Sequence, residues 1–78
     1  MTYAYYYQEV ITLQDSFDGI IIKKLRKQKK IMQNVLARLA GISNTYLSDI
    51  EVGRTNPSLK TLIKLAKVLE VDINTLIT

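Results

Sequence analysis

The stretch QNVLARLAGISNTYLSDIE, residues 33–51, decides the fold of this 78-residue chain. On either side of Gly41 lies a segment of about seven residues whose apolar positions recur at helical spacing. Glycine ends a helix in the left-handed conformation without a Cβ clash, and the hydroxyl of Ser43 can cap the helix that follows. Ala37 falls where the two helices would cross, and its small side chain would let them approach. The stretch therefore predicts a helix-turn-helix.

Three further helices are predicted outside this pair. One covers about residues 18–30 and begins at Asp18, whose carboxylate can cap it. Another covers residues 59–69, and a short final turn follows Asp72. The apolar stripes expected of these helices contain Ile22 and Leu25 with Arg26 beside them, then Leu59, Leu62, Ile63, Ala66 and Leu69, and then Ile73, Leu76 and Ile77. Together with the pair, these segments predict an all-α domain of five helices over residues 18–78.

Residues 1–17 form an extension of different composition, rich in tyrosine and β-branched residues. This composition favours a β-strand. A helix is the alternative, because several of the large side chains also recur at helical spacing; they are Tyr3, Tyr6, Tyr7, Val10, Leu13 and Phe17. Periodicity does not separate the two, and the extension is interpreted as a possible β-strand.

Charge is distributed unevenly along the chain. The first 18 residues have a net charge of −3, and the remaining 60, which contain all 11 lysines and arginines, have a net charge of +7. Six of the eight residues at positions 23–30 are basic. A block of this density favours a polyanionic partner, although an ordinary solvated helix face would explain the same charges equally well.

Composition excludes several classes of function. Without cysteine or histidine, the chain lacks disulfides, thiolate chemistry and the metal sites and hydrolytic triads built on those residues. Asp49 and Glu51 lie two positions apart on a helix and so point to different faces, which argues against a carboxylate enzyme. No apolar run is long enough to span a membrane, and the N-terminus lacks the basic region of a signal peptide. We expect a cytoplasmic protein that is not an enzyme and needs no cofactor or metal.

Seven short blocks, spread over about residues 22–76, resemble the phage Cro and repressor type of helix-turn-helix, the XRE family. They are Ile22-Lys-Lys-Leu-Arg26, Gln33 with Leu36-Ala37, Gly41-Ile-Ser43, Tyr46-Leu-Ser-Asp-Ile-Glu51, Gly53-Arg54, Pro57-Ser-Leu59 and Leu62-Ile-Lys-Leu-Ala66. The resemblance implies a lambda-repressor-like fold and a transcriptional regulator, a repressor or controller, that binds a symmetric operator in double-stranded DNA as a dimer.

The same resemblance implies roles for individual residues. Asn44 and Thr45, at the start of the recognition helix, would read bases, and Asp49 would read a further one. Asn can bond adenine bidentately and Thr can offer its methyl group to thymine, whereas Asp49 could accept from cytosine or simply repel wrong sequences. Asn44 could instead be only a helix-start residue. The residues implied to contact the DNA backbone or groove edge are Gln33, Tyr46, Ser48, Arg54, Asn56, Lys23 and Lys27; Tyr46 could equally pack on the first helix of the pair.

Three positions depart from the family pattern. Met32 replaces the usual capping Ser, Thr or Asn of the pair's first helix, and Val52 replaces a residue that commonly contacts phosphate. Lys30 replaces a frequent glycine, so we expect the preceding helix to be shortened or frayed at its end.

Two further hypotheses concern pairing. Arg26 and Glu51 are expected to form a partly buried ion pair between the first helix and the end of the recognition helix, as the matching positions do in relatives. Dimerisation is expected through the extension or through the C-terminal turn; the residues proposed are Tyr3, Tyr5, Tyr7, Ile20, Ile21, Ile73 and Ile77. Two alternatives are that the extension covers Ile20 and Ile21 within one chain, and that the chain is an antitoxin-like module that binds a partner protein through its extension.

Overall fold

The structure is a computed structural model, and it describes residues 18–77. Five α-helices follow one another in this part of the chain: α1 (Ile20–Gln28), α2 (Gln33–Ala40), α3 (Asn44–Val52), α4 (Leu59–Leu69) and α5 (Ile73–Leu76). Residues 18–77 contain no strand, so the expectation of an all-α fold is confirmed for them. The strand expected in residues 1–17 lies outside the described residues.

Every helix contributes to one hydrophobic core. α2 packs against both α3 and α4, while α1 packs on α3 and α5 on α4. Burying a leucine or isoleucine side chain contributes about 1.5 to 3 kcal/mol, so this core is the main source of stability for so short a chain. Its buried apolar residues are Ile22, Leu36, Ala37, Ala40, Leu47, Ile50, Leu62, Leu65, Ala66, Leu69 and Leu76.

Side-chain oxygens accept backbone N–H groups at the starts of four helices. At α1 the N-cap residue is Gly19 rather than the predicted Asp18, but Asp18 Oδ1 accepts from the N–H of Ile20 at 3.0 Å. In the same way Ser43 Oγ, Ser58 Oγ and Asp72 Oδ1 accept backbone N–H groups at the starts of α3, α4 and α5. Each bond satisfies a donor that has no partner within its helix.

The ends of α1 to α4 share one hydrogen-bonding pattern. After each helix the chain passes through a residue with positive φ: 59° at Lys30, 71° at Gly41, 85° at Gly53 and 58° at Glu70. The next N–H then donates back across the turn to a carbonyl five residues earlier, over distances of 2.8 to 3.1 Å. This is the Schellman arrangement, which ends a helix within one residue.

Two predictions about α1 and α4 were wrong in detail. α1 covers Ile20–Gln28 rather than residues 18–30, because the left-handed turn at Lys30 ends it early. On α4, Leu59 and Ile63 are 63% and 43% exposed, whereas Leu65 is fully buried. The apolar residues of α4 occupy two neighbouring stripes, and packing against α2 and α5 buries only the one that contains Leu62 and Leu65.

Candidate nucleic-acid interface

The recognition helix predicted from the sequence is α3, and burial separates its two faces. Leu47, Ile50 and Glu51 are buried against the rest of the domain. Asn44 and Thr45 are exposed in the first turn. The start of a helix presents free N–H groups and a positive dipole end, both of which favour a phosphate-rich partner. The first turn of α3 is therefore available to a ligand while the last turn anchors the helix.

The turn between α2 and α3 is rigidly defined. Gly41 adopts the left-handed conformation, and the N–H of Ile42 donates to the carbonyl of Ala37 at 2.9 Å. Ala37 is almost fully buried on α2, the helix that packs on α3. A larger side chain at this buried position would overpack the core, and a crossing of α2 and α3 at Ala37 stays a prediction.

A buried ion pair ties α3 to α1, as hypothesised from the sequence. Arg26 Nε donates to Glu51 Oε2 at 2.8 Å, and Arg26 Nη2 donates to Oε1 at 3.1 Å. The two side chains are only 10% and 1% exposed. The remaining nitrogen, Nη1, donates to the carbonyl of Ile31 at 3.0 Å, which also fixes the turn after α1. The bidentate geometry makes this one of the stronger kinds of pair.

Gln33 joins this pair from α2, a contact that the sequence interpretation did not include. Its Nε2 donates to Glu51 Oε1 at 3.0 Å. Glu51 is therefore held by α1 and α2 together, and one N–H of Gln33 is committed to it. The second amide N–H and the amide oxygen have no such commitment. Because Gln33 and Glu51 are separated by 18 positions, only the tertiary fold brings them together, and no local sequence signal indicates the contact.

Asp49 and Arg54 form a second, solvent-exposed pair at the C-terminal end of α3. Arg54 Nη1 lies 3.4 Å from Asp49 Oδ1, with side-chain exposures of 78% and 33%. Exposed pairs of this kind contribute little to stability. Both residues belong to the predicted DNA contacts, Asp49 to bases and Arg54 to the backbone. The guanidinium also partly offsets the negative charge that Asp49 would bring towards phosphates.

The other predicted backbone contacts lie at several places on the surface. Lys27 on α1 and Asn56 in the loop before α4 are exposed. Lys23, Tyr46 and Ser48 are half-buried, and Tyr46 packs against the core. This packing leaves part of the Tyr46 side chain accessible, so both alternatives considered for Tyr46 stay predictions.

The three departures from the family pattern have visible structural counterparts. Met32 provides no side-chain cap to α2 and is exposed, as is Val52 at the end of α3. Lys30 takes the left-handed conformation that glycine adopts most easily, and α1 ends two residues before it.

The residues proposed for dimerisation differ in exposure where the structure describes them. Ile21 and Ile73 are half-buried and pack against the core, whereas Ile20 and Ile77 are exposed at opposite ends of the helical domain's sequence. Tyr3, Tyr5 and Tyr7 lie outside the described residues.

Acidic side chains do not cluster in a way that could hold a metal ion anywhere in residues 18–77. Among the five helices described, none has the length and apolar character needed to cross a membrane.

A family model described as helix-turn-helix matches residues 22–76 of the chain. The ImmF control region 10 kDa protein of Bacillus phage phi105 is 48% identical over 58 residues, which cover 74% of this chain and 64% of that protein. The HTH-type transcriptional regulator SinR of Bacillus subtilis is 44% identical over 60 residues, covering 76% of this chain and 54% of SinR. The chain thus spans between about half and two thirds of these relatives.

Two solved structures share the fold. The restriction-modification controller protein C.AhdI from Aeromonas hydrophila superposes with a TM-score of 0.73 at 33% identity, covering 85% of this chain and 97% of that one. SinR, a master regulator for biofilm formation crystallised in complex with DNA, superposes with a TM-score of 0.70 at 44% identity, covering 74% and 97%. These relatives are regulators and controllers, in agreement with the expectation that the chain is not an enzyme.

Proposed function

Because the chain belongs to the helix-turn-helix family, in its XRE or Cro and repressor branch, we propose that it is a sequence-specific transcriptional regulator that binds double-stranded DNA. The observation that carries the proposal is the division of α3 between an inner face, which is buried, and the residues that begin the helix, which are exposed. Glu51 is held by two other helices, while Asn44 and Thr45 face solvent. A helix anchored in this way can present its first turn to the major groove.

Under this proposal Asn44, Thr45 and Asp49 contact base edges. Gln33 contacts the backbone or groove edge with the amide N–H that Glu51 does not occupy. Basic and polar side chains around α3 contact phosphates; they are Tyr46, Ser48, Arg54, Asn56, Lys23 and Lys27. The net charge of +7 on residues 19–78 supports this arrangement, because phosphate neutralisation supplies much of the affinity of such proteins.

We further propose that the active species is a symmetric dimer. A single recognition helix covers only a few base pairs, and dimers that read two half-sites about one DNA turn apart are the usual solution. Support comes from exposed apolar side chains at both ends of the helical domain, Ile20 beside the extension and Ile77 after α5. The extension itself adds four tyrosines in its first seven residues.

The experiment that tests base reading first selects bound sites from random DNA and then compares two asparagine variants on the selected operator and on random DNA. Asn44→Ala should weaken operator binding by about 1 to 3 kcal/mol and change binding to random DNA little. Asn74→Ala removes the same side chain from an exposed position of α5, outside the proposed DNA contacts, and should change neither affinity. Equal losses on both DNAs for Asn44→Ala would contradict base reading at that position.

A lysine variant provides the opposite pattern in the same assay. Lys27→Ala should weaken binding to operator and random DNA alike, and it should reduce the slope of log affinity against log salt by about one unit. Failure of the selection to return any enriched site would contradict sequence-specific binding as a whole.

A further inference from the structure

Gly19, immediately before α1, is buried against the last turn of α3. A Cβ placed on Gly19 would overlap the carbonyl oxygen of Ile50, and it would lie 2.7 Å from the Ile50 carbonyl carbon and 3.2 Å from Glu51 Cα. All three are backbone atoms, so no side-chain rotation can relieve the overlap. The hydrogen that a Cβ would replace points at the oxygen, which is the arrangement of a Cα–H···O contact.

The reason for glycine at this position is space rather than backbone conformation. Gly19 has φ −64° and ψ −13°, which any residue adopts. Gly41 and Gly53 show the opposite case, because both have positive φ while an added Cβ would meet nothing within 4 Å. Gly19 is thus the position where the absence of a side chain sets how closely two helices approach.

α1 therefore meets the end of α3 at two separate points. One is the backbone of Gly19 against Ile50, and the other is the Arg26 side chain on Glu51. Gly19 and Arg26 are seven residues apart, or about 10 Å along a helix axis. Both contacts fall on consecutive residues of α3, Ile50 and Glu51, so together they limit how the end of α3 can move relative to α1.

The DNA-facing end of α3 magnifies any change of tilt. Asn44 is seven residues from Glu51, again about 10 Å, so a tilt of about 6° at the last turn moves Asn44 by about 1 Å. A displacement of this size is enough to lengthen a hydrogen bond beyond its useful range.

We propose that Gly19 is a positioning residue for the recognition helix. By letting the start of α1 touch the Ile50 carbonyl, it sets the tilt of α3 and so directs Asn44 and Thr45 at the base edges. The part of this inference that concerns DNA rests on the proposed function, and the part that concerns helix placement rests on the contact itself.

The test compares Gly19→Ala with Val68→Gly, which weakens α4 without adding an atom between α1 and α3. The first readout needs no DNA: the NMR resonance of the Arg26 side-chain Nε–H, which reports its bond to Glu51. The second is the ratio of affinities for the selected operator and for random DNA. Gly19→Ala should shift the Arg26 resonance and lower the affinity ratio by about tenfold. Val68→Gly should leave the Arg26 resonance unshifted and the affinity ratio within about twofold of wild type, even if it lowers the melting temperature as much as Gly19→Ala does.

The outcomes separate the two proposals. An unchanged Arg26 resonance in folded Gly19→Ala overturns the inference. If the wild type prefers the selected operator over random DNA, an unchanged affinity ratio in Gly19→Ala overturns it as well. A shifted resonance in a protein whose wild type shows no preference among DNA sequences supports the placement of α3 by Gly19 and refutes the proposed function. If Gly19→Ala alone does not fold, the same measurements are made with Lys30→Gly and Glu70→Gly present, which relieve strain at two positive-φ positions.

Discussion

Glu51 is a charged side chain in the interior of a very small domain, and its partners decide whether it stabilises or destabilises the fold. A carboxylate removed from water loses several kcal/mol of hydration, which only close and well-directed partners offset. Here it accepts from both Arg26 and Gln33. The pair therefore stabilises the fold only when both charges are present, and either charged side chain buried without the other would destabilise it.

Removing Arg26 tests this account. Arg26→Met should destabilise the domain by about 3 kcal/mol or more, because among the described residues it leaves the buried Glu51 with Gln33 as its one side-chain partner. The melting temperature, followed by circular dichroism, should fall by more than about 12 °C.

Arg38→Met, at an exposed arginine of α2, is the control and should change the melting temperature little. The double variant Arg26→Met, Glu51→Leu should recover much of the loss, since no charge then remains buried. A decrease in melting temperature of less than about 2 °C for Arg26→Met would contradict the hypothesis that the pair stabilises the fold.

At the scale of the helices, four ends use the same left-handed turn but only two of them use glycine. Gly41 and Gly53 adopt positive φ without strain, whereas Lys30 and Glu70 bring a Cβ into that region. A non-glycine residue pays about 1 to 2 kcal/mol for this conformation. The ends of α1 and α4, at Lys30 and Glu70, are thus less stable than they would be with glycine at these positions.

Glu70→Gly should stabilise the domain by about 0.5 to 1 kcal/mol, which is the relieved strain less the greater freedom of glycine in the unfolded chain. The expected rise in melting temperature is about 2 to 8 °C. Glu70→Ala removes the same carboxylate but keeps the Cβ, so it should give no such gain. A fall in stability for Glu70→Gly would show that the Glu70 side chain contributes contacts that outweigh its strain.

Local signals explain which helices could be predicted from the sequence. α2 and α4 begin and end at the predicted residues, and α5 begins at its predicted residue, because Gly41, Ser58 and Asp72 act through bonds to their close neighbours. The predicted end of α1 at residue 30 was too late, although the replacement of a frequent glycine by Lys30 had indicated that the helix would be shortened there. The exposure of Leu59 and Ile63 depends on which side of α4 packs against the neighbouring helices. The spacing of apolar residues within α4 does not indicate that side.

The whole molecule combines a basic helical domain with an acidic, apolar extension, and the extension is one of the two surfaces proposed for dimerisation. If the extension contributes to the dimer, deleting residues 1–14 should weaken dimerisation by about tenfold or more while the helical content is kept. Among the residues that the structure describes, those buried in the core lie between positions 19 and 76 and come from all five helices; we expect these helices to stay folded in the shortened chain, and circular dichroism checks this. Sedimentation of the full and the shortened chain, each with and without operator, measures the proportions of monomer and dimer.

The variant Ile77→Ser examines the competing surface in the same assay. If the shortened chain dimerises as tightly as the full chain while Ile77→Ser does not, the C-terminal turn is the interface and the extension is not. If neither change weakens the dimer, both proposed surfaces are wrong.

The candidate site as a whole could be predicted only in outline. The exposure of Asn44 and Thr45 follows from their place in a capped helix whose inner face is Leu47 and Ile50, and both features are visible in the sequence. The contacts of Gln33 with Glu51 and of Gly19 with Ile50 join residues 18 and 31 positions apart. They depend on how three helices pack, so no pattern along the chain indicates them.

The sharing of Glu51 among three helices also bears on how the domain comes apart. A partly folded form in which α1 had separated would leave the carboxylate without its guanidinium, and one in which α2 had separated would leave it without its amide. Both forms keep the cost of a dehydrated charge and lose part of its compensation. Intermediates with one helix detached are thereby disfavoured, so that α1, α2 and α3 gain and lose structure as a single cooperative unit.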